Sequence, residues 1–107
     1  MEKKTYIRKS LHNGWQCETN VDLGNKLRLK IATHRAFDKM LVSHASICTF
    51  DGAFETHRVF EDYSERLINT KQRCTEKNVQ AQHNNAISRI PELIQEVAKQ
   101  YGLIEQA

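Results

Sequence analysis

A chain of 107 residues supports one hydrophobic core, since two independent cores would leave each half too small to bury its apolar surface. With 39% hydrophobic and 27% charged residues, one proline and four glycines, the composition excludes the collagenous, low-complexity and disordered classes. The net charge of +3 is unevenly distributed: residues 1–40 hold nine Lys and Arg against four Asp and Glu, so any basic surface belongs to the first third.

Those forty residues alternate with the period of half-buried strands: Thr5, Ile7, Lys9, Leu11; then Trp15, Cys17, Thr19, Val21, Leu23; then Leu27, Leu29, Ile31, Thr33. Around His12-Asn13-Gly14, a two-residue turn would set apolar against polar residues. A three-residue loop instead pairs Leu11 with Trp15, Lys9 with Cys17, Ile7 with Thr19 and Thr5 with Val21, and leaves Gly14 free for a left-handed conformation. The same arithmetic at Gly24-Asn25-Lys26 pairs Leu23 with Leu27, Val21 with Leu29 and Thr19 with Ile31. One apolar face then runs across a three-stranded meander that includes Leu11 and Trp15.

Residues 35–40 break the alternation and read as a connection whose Phe37 and Met40 tuck under the sheet. Strands at Leu41–Phe50 and Ala53–Phe60 flank the Asp51-Gly52 turn signal, with Thr49 opposite Phe54 or, across a longer turn, Phe50 opposite Phe54. The spacing of Tyr63, Leu67 and Ile68 suits a short helical turn. Thr75 is a good N-cap for a helix whose stripe comprises Val79, Ala86, Ile87, Ile90, Leu93, Ile94, Val97 and Tyr101, with Gly102 placed to end it. Pro91 makes this either one kinked helix or two, the second capped by Ser88. The expected fold is a single α+β domain over residues 1–107: an antiparallel sheet of about five strands, with a C-terminal helix packed on one face.

No apolar run approaches the ~18 residues of a membrane span, and Met1 to Tyr6 is not followed by the apolar stretch of a secretory signal. Cys17, Cys48 and Cys74 are odd in number and widely separated, a poor disulfide or zinc framework, so a cytoplasmic setting is expected. The five histidines, His12, His34, His44, His57 and His83, show no metal-ligand spacing and read as surface or hydrogen-bonded residues. Cys48 or Ser46 with His44 or His57 is an imaginable nucleophile and base, but positions 44 and 48 on one strand are about 13 Å apart. Phosphate-binding and hydrolase motifs are absent, so no catalytic, metal or cofactor residue is assigned and none of these groups is expected.

On the polar sheet face the expected pairs are Arg8 with Glu18 and Asp22 with Arg28, while Asn20 lies between Tyr6 and Lys30. Lys3, Lys4, Lys26, Arg35 and Lys39 are left as an uncompensated basic rim. Two functions follow. The first is a non-enzymatic accessory protein that binds another protein, as do the small inhibitors and regulators of host enzymes carried by phages and plasmids; a homodimer is compatible with it. The second is a nucleic-acid-binding module that uses the five rim residues.

Overall fold

The computed structural model describes the backbone of residues 3–24, 27–51, 54–58 and 64–101, and the side chains of 3–24, 27–48 and 65–99. Six strands form one antiparallel sheet: β1 (Lys3–Ser10), β2 (Gly14–Gly24), β3 (Leu27–Arg35), β4 (Leu41–Asp51), β5 (Phe54–Arg58) and β6 (Ser64–Thr70). The first five follow one another in order, and β6 returns to β4, so β5 and β6 lie along successive stretches of the same side of β4. Two helices follow, α1 (Glu76–Ile87) and α2 (Ile90–Tyr101). The α+β expectation of a meander with helical cover on one face is met, and of the two alternatives at Pro91 the cover is two helices.

The helices divide the roof between them. Ile90, Leu93 and Val97 of α2 join Val21, Leu23, Leu27, Leu29, Ile31, Ala45 and Ile47 in the main core, which Ala86 of α1 also enters. Val79 of α1 packs with Cys17 and Leu41 at the other end of the sheet, flanked by Trp15 and Cys74. Thr75 caps α1 as its residue type suggests, accepting from Asn78 N. Ser88 does not cap α2: it is the C-cap of α1, and its hydroxyl donates to Asn85 O at 2.6 Å. Gly102 and Tyr63 lie outside the described residues.

Between β2 and β3 the expected register is found at Val21–Leu29 and Thr19–Ile31. A bulge near Asp22 and Gly24 then sets Gly24, not Leu23, opposite Leu27. Between β1 and β2 the pairing is displaced by two residues: Lys9 faces Trp15, Ile7 faces Cys17 and Thr5 faces Thr19. The connecting loop is three residues long as expected but comprises residues 11–13. Ser10 Oγ accepts from Asn13 N, and Gly14 takes φ +73° directly over Cys74 Sγ. Leu11, expected in the core, is therefore exposed. Phe37 is fully exposed on the β3–β4 turn instead of tucking under the sheet.

Between β4 and β5, Asp51 lies opposite Phe54 and Phe50 opposite Glu55, so neither expected register is found. Residues 64–70 form a strand rather than a helical turn. Leu67 is an extra residue in a bulge between the Ser43–Ile68 and His44–Arg66 pairs, and this sends consecutive Leu67 and Ile68 to the core.

Candidate docking margin

The helices cover β2, β3 and β4, and β1 projects beyond them as the terminal strand. Residues 3–9 are exposed on both faces of that strand. At its C-terminal end Leu11 sits on the 11–13 turn at 94% exposure. The neighbouring 36–39 turn is tied to it by Arg35, whose Nη2 donates to His12 O at 2.9 Å. That second turn is closely bonded: Ala36 N donates to Met40 O, Lys39 N to Ala36 O, Met40 N to Asp38 Oδ1, and Lys39 adopts φ +64°. It holds Phe37 outward. Among the described residues the large exposed hydrophobics are Tyr6, Ile7, Leu11 and Phe37, and all four lie on this margin.

The shifted β1 register also redistributes charge. Arg8 faces Gln16, touching Oε1 at 3.4 Å, while Glu18 is met by Lys30 Nζ at 3.4 Å and by Asn20 Nδ2 at 3.0 Å. The expected Arg8–Glu18 pair is thus absent, whereas Asp22 does lie opposite Arg28. Lys9 stands over the Trp15 ring, 5.8 Å from its centroid. An open groove of about 740 Å³ follows the polar face of β1 to β3, its wall including Lys4, Tyr6, Arg8, Glu18, Arg28 and His34. That face is not solvated throughout: on β4, Val42, Ser46 and Cys48 are buried.

The five rim residues are not gathered. Lys3 and Lys4 begin β1, level with Leu29 and Lys30 across β2. Arg35 and Lys39 belong to the opposite end of the sheet, and the six residues from Leu29 to Arg35 span about 20 Å. Lys26 lies outside the described residues.

Two further polar clusters were hidden in the sequence. Beneath α1, His83 is 1% exposed and bridges Thr19 Oγ1, from Nε2, and Thr33 Oγ1, from Nδ1, each at 2.7 Å. The chain continues from Thr33 to Ser43 Oγ at 2.6 Å, to Gln82 Nε2 at 3.3 Å, and from Gln82 Oε1 to Thr70 Oγ1 at 2.6 Å; at its other end Thr19 meets Thr5 at 2.8 Å. Leu41 O fixes the orientation of the Gln82 amide. A carbonyl only accepts, so the Gln82 amide nitrogen faces it, at 2.9 Å, and donates to Ser43 as well. From Ser43 through Thr33 to His83 the hydroxyl bonds run in either sense, each consistent with one imidazole nitrogen donating and the other accepting. Burial holds the imidazole pKa down at about 4, against a weaker opposing pull from Glu18, so the ring is neutral. Both ring nitrogens are thereby occupied. The sequence signal was available: positions 82 and 83 fall on the buried stripe with Val79 and Ala86, and Thr19 and Thr33 lie on the covered sheet face.

On the other face His34 and His44 meet edge to face, with their Nε2 atoms 3.1 Å apart; His34 Nδ1–H donates to Arg35 O at 3.2 Å, so His34 Nε2 accepts from His44. Cys48, four residues along from His44 on β4, pairs with Arg28 and has Ser46 Oγ at 3.8 Å; the His57 side chain lies outside the described residues. Burial, with a smaller contribution from Glu76, raises the Cys17 thiol pKa. Among the described residues no three His, Cys, Asp or Glu side chains gather as a metal site, and no helix is long and apolar enough to cross a membrane.

No family model, curated protein or solved structure matches the chain. The functional reading therefore rests on this chain's own surface.

Proposed function

We propose that the chain is a non-enzymatic binding module that engages another protein through the margin formed by β1 and the 11–13 and 36–39 turns. The observation that carries this is the location there of all four exposed large hydrophobics among the described residues. A fully exposed phenylalanine costs little in the free protein and gains about 1.5–3 kcal/mol when a partner buries it, the behaviour of an interface anchor. The turn's internal hydrogen bonds hold its backbone before binding, which lowers the ordering cost on association. A nucleic-acid surface is less well supported, because the basic rim is divided between the two ends of the sheet.

The test is affinity capture with the native chain and with the Leu11→Ser/Phe37→Ser double variant. A protein retained by the native chain at high salt and lost by the variant is the expected result. Equal retention by both, or material released by nuclease, would remove the margin from consideration.

A further inference from the structure

Resting on that reading of the margin, we infer that the outer edge of β1 receives an extended acidic segment of another protein as an additional antiparallel strand. β1 is eight residues long, about 26 Å, and among the described residues pairs with β2 along one side only. A terminal strand presents a row of backbone donors and acceptors, a template on which an extended peptide gains a hydrogen-bond ladder. The strand carries Lys3, Lys4, Arg8 and Lys9, all exposed, and no acidic residue. A second copy would set four cations against four, so the edge repels its own kind. The same charges select an acidic guest.

The order of side chains specifies more than charge. Toward the groove β1 presents Lys4, Tyr6 and Arg8, and toward the helix side Lys3, Thr5, Ile7 and Lys9. On each face cations flank an apolar centre. Directly opposed residues on adjacent strands share a face, so an antiparallel guest read from its N-terminus has two acidic residues, two apolar residues, one small polar residue and two more acidic residues. The acidic pairs lie against Lys9 with Arg8 and Lys4 with Lys3, and the apolar pair against Ile7 and Tyr6. The β2 register supports this charge selection, because it leaves Arg8 against Gln16 instead of Glu18.

The probe is a fluorescein-labelled peptide, Glu-Glu-Val-Val-Thr-Glu-Glu, titrated into the full chain and read by anisotropy. Saturable binding and slowed amide exchange along β1 are expected. Binding should fall at least about tenfold for the Lys3→Glu/Arg8→Glu variant and return with Glu-Lys-Val-Val-Thr-Glu-Lys, whose charges match that variant only in the antiparallel register. The native circular dichroism of the variant serves as the folding control. The inference fails if the first peptide does not bind, if Val-Glu-Glu-Thr-Glu-Glu-Val binds equally, or if a fully N-methylated first peptide binds equally. It also fails if a single-stranded oligothymidylate competes for the strand with a steep loss on added salt. If these peptides fail while Leu11 and Phe37 still govern protein capture, the margin reading survives and the added strand does not.

Discussion

Replacing His83 with glutamine separates two contributions of one buried side chain, its hydrogen bonds and its titration. Because the folded-state pKa, about 4, lies below the ordinary 6.5, the unfolded chain binds this proton more readily. The stabilising contribution is complete above about pH 6.5 and is lost as the pH falls toward 4, about 3 kcal/mol across that window. Urea midpoints measured between pH 4 and 7 should therefore fall more steeply for the native chain than for His83→Gln. Parallel slopes would show that another group carries the dependence. Nitrogen NMR of the native chain at pH 7 should show a neutral imidazole at His83. Helical spacing with Val79 and Ala86 was the available sign that His83 is buried, but its hydrogen bonds depend on Thr19 and Thr33, which only the fold brings within reach. Phe37 and Leu11 were misplaced for the opposite reason. Burial was assumed from their apolar character, yet their turns extend beyond the area that α1 and α2 cover.

At the level of elements, alternation located β1, β2 and β3 and gave the β2–β3 register through most of its length, and the Asp51-Gly52 turn signal located β4 and β5. Alternation misjudged β1 by two residues. Matching apolar partners works where both are buried, and β1 lies outside the roof, so Leu11 gains nothing from facing Trp15. The turn decides instead, through Ser10 Oγ and the left-handed Gly14 seated over Cys74. Gly14→Ala should cost about 1–2 kcal/mol, because its Cβ would enter a disfavoured backbone region and meet Cys74 Sγ at 3.2 Å. Adding Cys74→Ala should recover only the contact part, as read from urea midpoints. Full recovery would mean that the backbone conformation is not under strain. β6 was hidden because its bulge places Leu67 and Ile68 consecutively on the core side, breaking the period-2 signature. Pro91 correctly marked a division, but the choice between one helix and two needed the α1 C-cap geometry at Ser88.

Across the described residues, the groups that hold the fold and the proposed recognition margin are spatially separated. The roofed part holds the core and the His83 chain, while the margin holds exposed apolar groups and cations. Leu11→Ser/Phe37→Ser should consequently shift unfolding stability by no more than about 0.5 kcal/mol, as measured by thermal denaturation. A larger loss would place these side chains among the groups that hold the fold. The margin itself was only partly legible: the excess of positive charge in residues 1–40 was visible, but its placement along an uncovered edge came from the reach of the helices.

The two lateral borders of the sheet are unlike. On the β4 side, β5 and β6 are five and seven residues long, and each meets β4 through an irregular register. On the other, β1 offers eight consecutive residues in unbroken register with β2. Short, kinked borders are poor templates. Under the proposed strand addition growth is polar: a guest seats at the β1 flank, while among the described residues the opposite flank offers only these shorter strands to the next molecule, which favours a discrete complex over a fibre.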